Sequence, residues 1–343
     1  MSGGVDSSVA ALLLKNQGHD ITGVYFTPWK PENGKAFCDW EEDRRDAMKV
    51  ATKLGIDFKT WDLSKEYGEE VTRYMIGSYT NGETPNPDIL CNEKIKCGIF
   101  LEKALSEGAD FIATGHYAKI EHTPNASHLK KAKDENKDQT YFLCRLKQHQ
   151  LSKILFPLGD LLKSEVREIA KKNDLITHNK KDSQGVCFVG MLDMKDFLKD
   201  YIPPKHGDVI LQETNEKIGE HDGIMYYTIG QRHGLNLKKD GGPYYVLDKD
   251  AERNIIYVTT DEEKLNKFKI MIKDLSYTAS ISFPLDCYVK IRYRGEDIKA
   301  IISETDEDGT YSITSETPMH AISKGQSAVI YKDDTILGSG FIT

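Results

Sequence analysis

From residue 2 to about residue 105 the chain alternates between two textures. Short apolar runs such as Ile21-Thr22-Gly23-Val24-Tyr25-Phe26 are followed by stretches with helical spacing, such as Glu41 to Leu54. Strand and helix in alternation predict βα units and a parallel sheet. The alternation continues through Phe111-Ile112-Ala113-Thr114, read as a buried strand ending in Gly115-His116, and through a helix from Lys163 to Asn173. Near residue 200 the texture changes: Pro203-Pro204 opens a Gly-rich stretch with short strands at Ile224 to Ile229 and at Tyr244 to Leu247. From about Phe268, strand-like runs, among them Tyr288 to Tyr293 and Ser327 to Tyr331, recur at the spacing of a small β-barrel. The charge-dense stretch His128 to Lys137 reads as a surface loop. The pattern divides the chain into an α/β domain (residues 1–200), a small connecting domain (201–265) and a β-barrel (266–343).

Composition narrows the class. With 39% hydrophobic and 29% charged residues, the chain has the make-up of an ordinary folded protein. No run approaches the ~20 apolar residues of a membrane span, and the start has neither a secretory nor a transit pattern, so a cytoplasmic protein with no membrane partner is expected. The cysteines Cys38, Cys91, Cys97, Cys144, Cys187 and Cys287 are scattered without a Cys-x-x-Cys pair, which fits neither a disulfide scaffold nor a zinc ribbon. No metal site is expected. A net charge of −8 weighs against a polyanionic partner, yet the local basic clusters Lys130-Lys131-Ala132-Lys133, Lys171-Lys172 and Lys180-Lys181 leave room for one. Each cluster taken alone reads more readily as a solvated face of a helix or loop.

Candidate chemistry begins at the first residues. Met1-Ser2-Gly3-Gly4-Val5-Asp6-Ser7-Ser8 runs directly into the apolar stretch Val9 to Leu14, read as a buried helix. Glycines let a backbone approach an anion, N–H groups at a helix start donate to it, and Ser2, Ser7 and Ser8 add hydroxyls. The result is a phosphate cradle without the lysine of a P-loop. A glycine turn before a capped helix explains the same residues as well.

A second element is Thr84-Pro85-Asn86-Pro87-Asp88-Ile89-Leu90-Cys91-Asn92, a proline-punctuated loop entering a helix that runs to about Leu105. Cys91 is expected near the start of that helix, where the dipole favours a thiolate, with Asp88 beside it to shuttle a proton. A third is Asp182-Ser183-Gln184-Gly185-Val186-Cys187-Phe188-Val189-Gly190, whose glycines permit a tight bend around a thiol. Cys97, Cys144 and Cys287 read as small buried hydrophobes, and Cys38 is assigned no chemistry.

The string Ser-Gly-Gly-Val-Asp-Ser resembles the phosphate loop of the N-type ATP pyrophosphatases. Asn-Pro-Asp-x-x-Cys-Asn together with Asp-Ser-Gln-Gly-x-Cys-Phe is similar to the tRNA-specific 2-thiouridylase family. The likeness extends through Ala113 to Ala118, Lys137 to Leu143 and Tyr227 to Arg232. It implies an adenine-nucleotide α-hydrolase-like domain followed by a connecting domain and a barrel. It also implies ATP with Mg²⁺, and replacement of the 2-oxygen of an anticodon uridine by sulfur.

Carried over by motif, the resemblance implies that Met1, Ser2, Gly3, Gly4, Val5, Asp6, Ser7, Phe26 and Gly115 hold ATP. Phe26 stands where the family is expected to have methionine or a similar apolar residue. Asn86, Pro87 and Asp88 would address the target base. His116, Lys137, Asp138, Gln139, Arg292, Tyr293 and Gln326 would contact tRNA; for the last three, ordinary strand surface is the plain alternative. Cys187 would carry a persulfide and Cys91 would attack it, leaving a transient Cys91–Cys187 disulfide. Implied partners are the tRNAs for Lys, Glu and Gln and a sulfur donor such as a cysteine desulfurase or relay protein. A loop of this kind ordinarily follows a sheet strand, so further residues ahead of Met1 are expected in the natural protein.

Overall fold

The computed structural model describes residues 1–27, 40–181, 194–235, 237, 241–278 and 281–343. The cradle sequence leads into helix α1 (Val5–Asn16), whose Val5, Val9, Ala10, Leu12 and Leu14 are buried. Strand β1 (Thr22–Thr27) pairs in parallel with β2 (Asp57–Asp62) across helix α2 (Trp40–Leu54), the expected βα unit. Strand β3 (Ile112–Ala113) pairs in parallel with β6 (Ile154–Leu155). These two parallel pairs do not join among the described residues. Between Ile21–Val24 and Ile112–Gly115 lies a groove of about 530 Å³, floored by Ala10, Ala11 and Leu14 of α1.

Three helical segments, Pro87–Leu90, Cys91–Ile99 and Phe100–Ser106, run end to end as one helix, α3. Its middle segment is π-wound, bonding i to i+5, a winding that recurs at functional sites. Helix α4 (Lys163–Lys172) packs Val166 and Ala170 into one core with Val5, Val9 and Leu12 of α1.

The charge-dense stretch is not a surface loop. Strand β4 (Lys119–His122) and β5 (Ser127–Lys130) form a hairpin, and β5 pairs through Lys130 with Thr335 of the barrel. Leu129, Ala132 and Asp134 are buried. The short alternation Ser127-in, Leu129-in was masked by the histidine and lysines between and after.

The connecting domain is a four-stranded sheet of β7 (Gly207–Leu211), β8 (Glu216–His221), β9 (Tyr245–Asp250) and β10 (Ile255–Thr259), ordered β8-β7-β10-β9. The strand expected at Ile224 to Ile229 is instead a 3₁₀ turn, Ile224–Tyr226, held where the Tyr226 hydroxyl donates to Ile202 O at 2.7 Å. Ile224 to Tyr227 are apolar or aromatic without interruption and carry no period, and burial as a turn satisfies them equally.

The last domain is a closed barrel of β11 (Asn266–Tyr277), β12 (Leu285–Lys290), β13 (Ile298–Glu304), β14 (Thr310–His320), β15 (Ser327–Lys332) and β16 (Thr335–Ile342). The order is β11-β14-β13-β12-β15-β16, and β16 returns to pair with β11. Ile272, Val289, Ile302, Ile313 and Ile330 fill its interior. No helix among the described residues is long and apolar enough to cross a membrane.

Candidate nucleotide and cysteine site

The loop folds as a cradle because glycine stands where nothing larger fits. Gly3 has φ +75°, and a Cβ there would lie 2.2 Å from Asp43 O. Gly4 starts α1 with no side-chain cap, so the donors of the first turn face outward, the arrangement that binds anions. Ser2 Oγ and Ser7 Oγ lie 3.1 Å apart at the mouth. Ser8 departs from the sequence reading: it is fully buried and donates to Gly4 O at 2.7 Å, so its hydroxyl belongs to the helix and not to the cradle. Gly115 closes the loop from behind, since a Cβ there would meet Ser7 N at 2.7 Å. Phe26, on β1, sits against Phe100 with ring centroids 6.0 Å apart.

The cysteine helix starts as its sequence dictates. Asn86 caps it, accepting from Asp88 N at 3.2 Å, and Pro87 takes the first helical position, where its missing N–H costs nothing. Cys91 lies beyond that first turn and is wholly buried. The expected thiolate is therefore overturned: burial pushes the Cys91 thiol up, the Asp88 charge adds to this, and the Lys96 charge and a Tyr67 hydrogen bond oppose it. A dipole effect fades within the first turn, whereas loss of solvent acts on the whole group. Cys97 and Cys144 are buried as expected, both pushed up to about 12 by burial.

Lys96 was missed by sequence reasoning. In an α-helix residues five apart point to different sides, but i→i+5 bonding brings them nearly over one another, so Lys96 shares the face of Cys91. Its charge also bears on His116, which is held well below the usual histidine range, first by burial and then by Lys96. His116 Nδ1 lies 2.8 Å from Thr114 Oγ1, and its ring packs edge-on to Phe156. Gly115 thus backs the nucleotide loop, while its neighbour His116 packs on Thr114 and Phe156 and feels the Lys96 charge.

Of the residues expected to meet tRNA, Asp138 is buried, Arg292 is exposed and the rest are half-buried. Asp138 is buried, accepting from Ala132 N at 3.0 Å and Thr140 Oγ1 at 2.7 Å; burial raises its carboxyl and these bonds oppose the shift. Gln139 Oε1 accepts from Tyr117 N at 3.0 Å, and Lys137 is half-buried. Gln326 reaches from the barrel to the cysteine loop, donating to Thr84 O at 2.6 Å. Tyr293 stacks on Phe142 at 4.3 Å, and Arg292 is exposed. Cys187 and Cys38 lie outside the described residues.

Two further contacts, also missed, hold the site together. Arg145 joins buried Glu93 of α3 (Nε to Oε2, 2.8 Å) to Asp274 of the barrel (Nη2 to Oδ2, 2.9 Å). Lys163 joins α4 to Asp6 of the loop. Neither partner is near in sequence, so no local pattern signals them.

Fold and site define an α/β protein with a glycine-rich phosphate-type loop and a buried cysteine on helix α3, joined to two β domains. Family models match in the same order: a tRNA methyl transferase HUP domain over residues 1–191, a tRNA methyl transferase PRC-barrel domain over 195–260 and an aminomethyltransferase beta-barrel domain over 267–342. The chain is 46% identical to the tRNA-specific 2-thiouridylase MnmA of Bacillus licheniformis, over all of this chain and 93% of that protein. It is 44% identical to proteins of the same name in Listeria monocytogenes and Bacillus subtilis, at the same coverage. The chain belongs to the tRNA-specific 2-thiouridylase family.

Proposed function

We propose that this protein is an ATP-dependent sulfurtransferase that converts the wobble uridine of tRNA to 2-thiouridine. The observation that carries the reading is the adjacency just described: Gly115 lies against Asp6 and Ser7 of the loop, and His116 lies within the field of the helix that bears Cys91. On this reading a base activated at the loop would come within reach of the cysteine helix.

In this scheme ATP adenylates the uridine 2-oxygen and releases pyrophosphate, turning a urea-like carbonyl oxygen into an AMP leaving group. Magnesium would enter with the nucleotide and offset charge on the departing pyrophosphate. The donors at the start of α1 hold the phosphates, and Phe26 borders the adenosine. The terminal sulfur of a Cys187 persulfide attacks C2 and expels AMP. Cys91 thiolate then attacks the Cys187 sulfur, freeing 2-thiouridine and leaving a Cys91–Cys187 disulfide. Alternatively Cys91 attacks first, and the hydrosulfide released attacks C2; the same disulfide results. A thiol reductant supplies the two electrons that reopen it, and a cysteine desulfurase or relay protein reloads Cys187. At the disulfide stage the two Cα atoms must approach to under about 7 Å.

Burial of Cys91 fits a thiol held unreactive until substrate arrives. The uridine must leave the anticodon stack to reach it. Asn86, Pro87 and Asp88 line its approach, and Arg292 and Tyr293 offer tRNA a cation and an aromatic face. The reading places the protein in the cytoplasm, with tRNAs for Lys, Glu and Gln as substrates.

The test is mass spectrometry of nucleosides from unmodified tRNA incubated with the protein, ATP, Mg²⁺ and a cysteine desulfurase with cysteine as sulfane-sulfur donor. The expected result is 2-thiouridine with the native protein and none with Cys91→Ala or Cys187→Ala. Product from Cys187→Ala with the desulfurase donor would remove the persulfide from the scheme.

A further inference from the structure

Between Met1 and Ser8 the one charged side chain is Asp6, so the loop brings no side-chain cation to a polyanionic ligand. The fold supplies one from 157 residues further along. Lys163 Nζ lies 2.7 Å from Asp6 Oδ1 and 2.8 Å from Oδ2. Its side chain is only 12% exposed. The ammonium sits 5.7 Å from the centre of the Tyr117 ring, and the Tyr117 hydroxyl donates to the same Asp6 Oδ1 at 2.9 Å. The backbone of Lys163 is fixed as well: its N–H donates to Asp134 Oδ2 at 2.8 Å, and the helix it opens shares a core with α1.

This placement has an electrostatic consequence. Asp6 is in the first turn of α1, beside the outward-facing donors. A bare carboxylate there repels a triphosphate; paired with Lys163 it does not. A lysine ammonium is a compact charge on a flexible stem, and exchanging one anionic oxygen for another keeps that charge satisfied.

We propose that Lys163 is the phosphate-binding cation of the nucleotide site: it neutralises Asp6 in the unliganded protein and takes oxygens of the β–γ end of ATP when the nucleotide enters. This rests on the ATP reading above. It assigns to the fold the role that a loop lysine plays in P-loop proteins.

Calorimetric titration of ATP and of AMP into the native protein and into Lys163→Met, Lys163→Arg, Asp6→Asn and the Asp6→Asn/Lys163→Met double variant tests it without any turnover. Lys163→Met is expected to weaken ATP by about 10- to 100-fold, as for loss of a charged hydrogen bond. AMP, which lacks the β and γ phosphates, keeps its affinity, and Lys163→Arg retains most of the ATP affinity. The double variant, which leaves no unpaired carboxylate, binds ATP more weakly than Asp6→Asn alone. Equal binding of ATP by native and Lys163→Met, equal losses for ATP and AMP, or no further loss in the double variant would overturn the proposal while leaving the ATP reading intact. A native protein that binds no ATP would overturn both. Should Lys163→Met fail to fold, as its melting curve would show, Lys163→Arg and the double variant carry the same comparison.

Discussion

In the C-terminal barrel each strand has a neighbour on either side: β11 pairs with β14 on one edge and β16 on the other, and apolar residues alternate inward along strands such as β12 and β13. The nucleotide-loop domain is built differently. Among its described residues β1 pairs only with β2 and β3 only with β6, a groove separates them, and polar contacts such as Lys163–Asp6 span the chain. Closure stabilises the barrel and leaves it few backbone groups to offer. The open domain keeps uncapped donors and partly buried charges, the features from which a reactive site is made.

The contrast is most sharply broken at the contact between the two regions. Arg145→Met removes the arginine paired with buried Glu93 and is expected to cost about 3–5 kcal/mol, measured by urea denaturation; a loss near zero would mean that the other contacts between the regions hold them without this bridge. Within the barrel, Ile330→Ala should cost about 2–5 kcal/mol while leaving ATP affinity unchanged, since its side chain is buried far from the loop's own core cluster. In the open domain the reverse is expected: Gly115→Val should lower ATP affinity by roughly tenfold or more, because the new side chain displaces Ser7.

Cys91 offers a kinetic test. Burial holds its thiol above the ordinary range, so at neutral pH the protonated form dominates and labelling by iodoacetamide is slow. Labelling should quicken as pH rises through and beyond the usual thiol range, and quicken at fixed pH when tRNA is added. A rate at neutral pH matching that of a free cysteine would contradict the buried position. Least affected is the surface: Lys59→Ala removes an exposed ion pair with Glu107 and should shift stability by no more than about 0.5 kcal/mol in a thermal melt.

What the sequence made legible was local. Gly3 and Gly4 before an apolar run mark a loop-to-helix turn, and Asn86-Pro87 marks a helix start, because both depend on backbone preferences of adjacent residues. The barrel strands show through their alternation. Lys163, Arg145 and Gln326 act across long separations and leave no periodic trace. Lys96 was hidden by helix winding, which a standard wheel misplaces. The protonation state of Cys91 was misread because proximity to a helix start is visible in sequence and burial is not. The hairpin β4–β5 was hidden by composition, its lysines outweighing an alternation only a few residues long.

That hairpin gives the molecule a property its three-part sequence conceals. β5 belongs to the first domain by position and to the barrel sheet by hydrogen bonding, and Lys131 N and Nζ reach Asp334 O and Asp297 of the barrel. Three residues further on, Asp134 holds the backbone of Lys163, which holds Asp6. First and last domains are therefore tied by a strand pairing and an ion pair, so loosening one is expected to loosen the other. Severing the chain ahead of the barrel would remove a neighbour from β5, so a contact chain that ends at the nucleotide loop begins at the far end of the polypeptide.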